Sequence, residues 1–137
     1  MAKVIGLGGL FLHSADVAVT KAWYRKVMGF DGNDYGGWDF LHADAGKAFP
    51  NGARSIFAMF EKQDYFQPST LPFMLNLMVD DLDGILERLK AEGIEECQPA
   101  ESHSYGKFAW LMDPDGRKVE LWQPIEMDES AQLSEAG

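Results

Sequence analysis

The stretch KVELWQP, residues 118–124, carries the side chains best suited to chemistry. Glu120 offers a carboxylate that can move a proton, accept hydrogen bonds or pair with a cation. In an extended strand, Glu120 and Trp122 point to one side while Val119 and Leu121 point to the other. The aliphatic side belongs to a core. The glutamate and the tryptophan therefore either face solvent on an ordinary strand or line a binding site.

Two other predicted strands alternate in the same way, one over 73–79 and one over 9–13. Each has an aliphatic side, and each has a second side of mixed character. The mixed sides are too apolar for a plain solvated surface and too polar for a sealed core, which is typical of a ligand groove. The ligand-binding residues predicted from this parity are Phe11, His13, Met74, Asn76, Met78 and Trp122.

Two further aromatic residues are candidates for the same groove. Tyr105 lies in the polar loop ESHSYG, where it either orients a ligand or is simply exposed. Trp38 follows the turn DYGG and could reach the groove from the next strand. Most of the remaining strand and loop aromatics, a group that includes Tyr65 and Trp110, are expected in the core.

The elements that must position these residues occur twice along the chain. Asp16 precedes Gly29 by 13 positions, just as Asp80 precedes Gly93, and the two pairs are offset by 64 residues. Between each pair lies an apolar stripe at helical spacing, with an aspartate suited to cap its start and a glycine its end. Asp81 is an equally good cap for the second helix.

Shorter strand-like segments follow each helix. They lie near 31–35, 38–42 and 54–61 in the first half, and near 95–97, 107–112 and 117–123 in the second. The order strand–helix–strand–strand–strand therefore repeats, which predicts an α+β fold of two βαβββ modules. We expect a single domain over 1–137, with modules at about 4–61 and 73–124, a linker at 62–72 and an acidic tail at 125–137.

Composition narrows the classes of partner. The net charge of −10 argues against nucleic acid and against anionic membrane surfaces, and suits a neutral or cationic small molecule. The chain shows neither a signal peptide nor a membrane-spanning segment. Cys97 is the only cysteine, so no intrachain disulfide can form, as expected for a cytoplasmic protein.

Three segments give the chain a family resemblance: AWYRKVMGF (22–30), MLNLMVDDLDGILERLKAEGI (74–94) and FAWLMDPDGRKVELWQP (108–124). Together they resemble the glyoxalase/bleomycin-resistance/extradiol dioxygenase superfamily, also called vicinal oxygen chelate proteins. The resemblance implies that the two modules form a cup-shaped mixed sheet with helices packed on the outside. It also implies a homodimer, with sites in some members built across the subunit contact.

Metal-using members of that superfamily place one ligand in each of four strands. The resemblance puts those positions at Gly9, Met74, close to Ala58, and at Glu120. A carboxylate is retained only at Glu120, and one ligand does not make a divalent metal site. We therefore predict no metal and no cofactor, with a non-standard site of His13, Glu120 and another histidine as the remaining route to a divalent metal.

These observations predict a glyoxalase/bleomycin-resistance-like protein that binds a small organic ligand in a cup lacking the usual metal ligands. The alternative is a glyoxalase-like lyase or isomerase in which Glu120 is the catalytic general base. A third possibility is a metal-dependent dioxygenase-type enzyme. Fold membership alone does not choose among them.

Overall fold

The structure is a computed structural model that describes residues 1–32 and 36–126. Two residues of the predicted DYGG turn and the acidic tail from 127 onward lie outside the described residues. The described elements are α1 (Val17–Met28), α2 (His42–Ala48), a 3-10 turn (Asp64–Phe66), β1 (Leu75–Met78), α3 (Leu82–Ala91), β2 (Gln98–His103), β3 (Gly106–Met112) and β4 (Lys118–Pro124).

The strands form one four-stranded mixed sheet with the order β1-β4-β3-β2. β1 runs parallel to β4, whereas β3 is antiparallel to both β4 and β2. The elements from β1 to β4, with α3 after β1, have the order predicted for the second module. The α+β class is therefore confirmed.

The helix ends agree with the predicted caps. The Asp16 carboxylate accepts a hydrogen bond from the Val19 main-chain N–H at 3.2 Å, and Asp81 accepts one from Gly84 at 3.1 Å. Gly29 ends α1 in the left-handed conformation, with φ of 73°. A residue with a side chain is strained there, which is why the helix ends at a glycine.

The aliphatic side of the sheet packs against the helices. Val119 and Leu121 of β4 are fully buried, with Leu82 and Leu89 of α3 packed in the same cluster. The stripe of α1 joins this cluster through Val27. The alternation in β4 thus predicted the core side of the sheet correctly. The opposite side of the sheet faces away from this core.

The first half differs from the prediction. The strands predicted at 9–13, 38–42 and 54–61 are not formed among the described residues, and α2 begins at His42 where one of them was expected to end. Most of the strand predicted near 31–35 lies outside the described residues. A strand needs a neighbouring edge for its main-chain hydrogen bonds, and these segments have no ladder partner within the described part of this chain. The predicted second strand of the other module also shifts, because pairing with β3 begins where Cys97 N–H donates to the Trp110 carbonyl at 2.9 Å.

A buried charged network joins α1 to the turn before β4. The Asp113 carboxylate accepts hydrogen bonds from the Tyr24 hydroxyl at 2.8 Å and from Arg117 Nη1 at 2.6 Å. It also accepts from the main-chain N–H groups of Asp115 and Arg117, at 2.9 and 3.0 Å. Arg117 in turn donates to the main-chain carbonyl of His13. This network fixes where β4 starts relative to the first half of the chain.

Within 1–32 and 36–126, none of the helices has the length and apolarity needed to cross a bilayer.

Candidate functional site

The side of the sheet opposite the helices is lined by polar and aromatic residues. Asn76 of β1 lies opposite Glu120 of β4, and Trp110 of β3 lies opposite Glu120 on its other flank. Strand pairing thus places the glutamate at the centre of this side, which we call the Glu120 face. Its members are Asn76, Met78, Phe108, Trp110, Lys118, Glu120 and Trp122.

Glu120 is buried, with 8% of its surface exposed. Its Oε1 accepts a hydrogen bond from Asn76 Nδ2 at 2.6 Å. Its Oε2 accepts from Trp110 Nε1 at 2.8 Å and from the Tyr65 hydroxyl. A buried carboxylate is costly unless donors surround it, and here three uncharged side chains supply them.

Tyr65 comes from the segment between the two halves and lies over the Glu120 face. Its ring stacks on Phe60, with centroids 5.7 Å apart, and meets Trp110 edge-on at 6.5 Å. Burial raises the pKa of Tyr65 well above its ordinary value, and the hydrogen bond to Glu120 raises it further. The phenol therefore stays protonated and serves as a donor to the carboxylate.

Lys118 holds this segment against the sheet. The residue is 2% exposed, and its Nζ donates to the Tyr65 main-chain carbonyl at 2.6 Å and to Gln98 Oε1 at 2.7 Å. The same ammonium lies 5.1 Å from the centroid of the Tyr65 ring, within range of a cation–π contact. Lys118 forms no ion pair with a carboxylate of the described residues.

A run of rings continues from Trp110 to the β2–β3 hairpin. Phe108 stacks on Trp110 with centroids 6.2 Å apart, and Tyr105 contacts Phe108 at 5.7 Å. At the hairpin, the rings of Tyr105 and His103 are nearly parallel and 4.9 Å apart. The Glu120 face is thus continuous with an exposed aromatic edge.

The structure brings several of the residues predicted for the site together. Asn76, Met78, Glu120 and Trp122 share the Glu120 face, and Met74 directly precedes the same strand. Tyr105 reaches this face through Phe108.

Three other predicted residues lie apart from this group. Phe11 is 99% exposed, and His13 contributes its main-chain carbonyl to Arg117. Trp38 packs against Phe30 and under the Arg25 guanidinium, and its indole N–H has no acceptor within the described part of the chain. The reason is that the first-half strands expected to carry these residues to the groove are not formed.

Sequence reasoning missed two donors to Glu120. It does not single out Trp110 and Tyr65 from the strand and loop aromatics, most of which are expected in the core. The hairpin gives a usable signal for Trp110, because the tight turn pairs Met112 with Lys118 and hence Trp110 with Glu120. No local pattern marks Tyr65, which is 55 residues from Glu120.

The described residues contain no group of three or more His, Cys, Asp and Glu side chains able to hold a metal ion. Two open cavities, of about 590 and 840 Å³, both reach Cys97, and neither is lined by Glu120. Burial raises the pKa of the Cys97 thiol, which favours the unreactive protonated form.

This fold and site define a small α+β protein whose sheet carries a buried, hydrogen-bonded carboxylate on the side away from its helices. The chain belongs to the Glyoxalase/Bleomycin resistance protein/Dioxygenase superfamily, whose family model matches residues 6–121. Among curated protein sequences, none is significantly similar to this chain.

Several solved structures share the fold. An integron cassette protein from V. cholerae is 19% identical, with 90% of this chain and 98% of that chain covered and a TM-score of 0.57. The antibiotic-binding protein TnmS3 from a Streptomyces species is 23% identical, with coverages of 90% and 100% and a TM-score of 0.54. The fosfomycin resistance protein FosX from Listeria monocytogenes is 19% identical, with coverages of 90% and 96% and a TM-score of 0.54. At these identities the likeness concerns the fold.

Proposed function

We propose that this protein binds a small organic molecule on the Glu120 face without the help of a metal ion. The observation that carries the proposal is the environment of Glu120. A buried carboxylate held by Tyr65, Asn76 and Trp110, with further rings beside it, is suited to accept a hydrogen bond from an aromatic or cationic guest. The antibiotic-binding member TnmS3 is a precedent for sequestration on this fold.

The groups around Glu120 do not fit a divalent cation. An indole N–H is a donor with no lone pair to offer a metal, and the Asn76 amide nitrogen also points its hydrogens at the carboxylate. The superfamily positions at Gly9 and Met74 provide no hard ligand either. These features favour a metal-free site and argue against a metal-dependent dioxygenase.

A second candidate is a glyoxalase-like lyase or isomerase with Glu120 as general base. The two carboxylate oxygens are not equivalent, because Oε2 takes two hydrogen bonds and Oε1 takes one, from the exposed Asn76. Oε1 therefore keeps a lone pair that no donor of the described residues uses. Such an oxygen could take a proton from a bound substrate.

We also propose that the two modules form a complete cup and that the protein is a cytoplasmic homodimer. Support comes from large apolar side chains exposed in the first half. Ile5, Phe11, Phe57 and Met59 are each at least 77% exposed, and contact with a second copy of the chain would remove such apolar surface from water. Sedimentation velocity at several concentrations should show a dimer, whereas a monomer at high micromolar concentration would contradict this part of the proposal.

The binding proposal is tested by titrating a panel of neutral and cationic aromatic compounds while following the indole N–H resonances of Trp110 and Trp122. A hydrogen bond to a charged group contributes about 1.5–3 kcal/mol, so Glu120→Gln should weaken a bound compound by roughly tenfold or more. Glu87→Gln, an exposed carboxylate on α3, is the matched control and should leave affinity unchanged.

Three results separate the candidates. Weaker binding by Glu120→Gln, with no turnover by either chain, supports sequestration. Loss of turnover with binding retained supports the enzyme. A panel in which no compound moves either indole resonance, or in which Glu120→Gln behaves as Glu87→Gln does, overturns the assignment of the Glu120 face.

A further inference from the structure

The ring that lies over Glu120 belongs to the chain itself. Tyr65 is part of the 3-10 turn Asp64–Phe66, in the segment 61–72 that joins the two halves and that we call the strap. Its hydroxyl donates to Glu120 Oε2, its ring lies between Phe60 and Trp110, and the Lys118 ammonium lies 5.1 Å from its centroid.

These contacts together make a place for a phenol. The carboxylate accepts a hydrogen bond from the hydroxyl, the Phe60 ring stacks on the phenol while the Trp110 ring meets it edge-on, and the ammonium favours an electron-rich ring over an aliphatic group. The site therefore has the recognition chemistry of an aromatic ring with a hydrogen-bond donor, and an internal side chain occupies it.

We propose that Tyr65 is a built-in occupant of the binding site, and that the ligand is a phenol or a similar flat aromatic donor that binds by displacing it. This inference rests on the proposed function, and it adds the ligand class and the step that opens the site.

The attachment of the strap allows the ring to leave. Lys118 bonds the main-chain carbonyl of Tyr65, so the side chain can rotate away while that anchor stays in place. A second anchor is Ser69, whose hydroxyl donates to the Gly116 carbonyl at 2.7 Å. Gln63 and Gln67, two residues on either side of Tyr65, are exposed and line the open cavity of about 590 Å³, so the strap borders free space.

When an internal side chain occupies the site, the apparent affinity of a ligand is its intrinsic affinity multiplied by the fraction of molecules in which that side chain has left the site. Removing the Tyr65 ring removes that competitor. The probe is 4-methylphenol, which reproduces the tyrosine side chain, and toluene is its partner without the hydroxyl.

The first experiment uses the wild-type protein. Titration with 4-methylphenol should shift the Trp110 indole N–H resonance saturably and move the Tyr65 ring signals toward exposed values, with faster amide exchange at residues 63–67. Toluene should bind at least about tenfold more weakly, because it cannot replace the hydrogen bond that the Tyr65 hydroxyl donates to Glu120. Equal binding of the two probes, or binding that leaves Tyr65 unmoved, would overturn the inference.

The second experiment compares variants. Tyr65→Ala should bind 4-methylphenol at least about tenfold more tightly than wild type, and adding Glu120→Gln in that background should cancel the gain. Tyr65→Phe keeps the ring but loses the hydrogen bond to Glu120, so it should bind 4-methylphenol more tightly than wild type and less tightly than Tyr65→Ala. Equal affinity in wild type and Tyr65→Ala contradicts the competition.

The two proposals can fail separately. If other compounds of the panel bind at Trp110 and Trp122 while 4-methylphenol neither binds nor displaces Tyr65, the proposed binding function stands and the inference of a phenol site falls. If 4-methylphenol displaces Tyr65 but Glu120→Gln does not change the affinity for it, the proposed role of the Glu120 carboxylate in binding is refuted.

Discussion

Replacing Asp113 by asparagine tests how the buried network supports the strand that carries Glu120. The carboxylate side chain is 0% exposed and its partner Arg117 is 4% exposed, at a distance of 2.6 Å. Asparagine keeps the shape but removes the charge, and it turns one acceptor oxygen into an amide donor. That amide either faces the Tyr24 hydroxyl and Arg117 or faces the two main-chain N–H groups.

The expected cost follows from the hydrogen bonds that asparagine cannot make. Both the Arg117 bond and the Tyr24 bond are made to the charged carboxylate, and a hydrogen bond to a charged group contributes about 1.5–3 kcal/mol, so removing the two costs roughly 3–6 kcal/mol. A second estimate comes from buried ion pairs, in which removing one partner costs about 3–5 kcal/mol of stability. We expect the free energy of unfolding of Asp113→Asn to fall by about 3–4 kcal/mol.

The assay is urea unfolding followed by tryptophan fluorescence and circular dichroism. The control is Asp83→Asn, because Asp83 pairs with Lys107 at 3.3 Å with side chains 75% and 42% exposed. That surface pair should contribute no more than about 1 kcal/mol. If the two variants lose the same stability, or if Asp113→Asn loses less than about 1 kcal/mol, the reasoning about the buried network is refuted.

Three further predictions follow from other contacts. Burial and the Asp113 hydrogen bond raise the pKa of Tyr24 above its unfolded value near 10, so the stability linked to this proton is fully present below pH 10 and falls by about 1.4 kcal/mol per pH unit above it. Tyr24→Phe should flatten the decline in stability that urea unfolding measures between about pH 9 and 11, and an unchanged slope would disprove the linkage. Gly106 has φ of 148°, and a Cβ there would lie 2.8 Å from Trp122 Nε1 and 3.0 Å from the Gln123 carbonyl; Gly106→Ala should cost about 1–3 kcal/mol and shift tryptophan fluorescence, and a variant with wild-type stability would contradict this strain. Protein purified without chelators should contain far less than one divalent metal ion per chain by elemental analysis and keep its melting temperature in EDTA, whereas a stoichiometric metal would refute the metal-free site.

Local patterns predicted the second half of the molecule well. The alternation of residues 117–122 assigned Val119 and Leu121 to the core and Glu120 to the other side, and both assignments match the sheet. The caps at Asp16 and Asp81 were also found, because capping depends on a few neighbouring residues. The first half was predicted less well, since its strands require partner edges that sequence parity does not provide.

The sequence by itself determined which residues share a side of β1 and β4 and where α1 and α3 begin and end, because side-chain direction and capping are set within a few residues. The tertiary structure decided which groups meet the Glu120 carboxylate. Trp110 reaches it through strand register, and Tyr65 reaches it because the strap folds across the sheet and is held there by Lys118. The Tyr65 contact depends on how distant segments pack together, and no repeat or spacing along the chain encodes it.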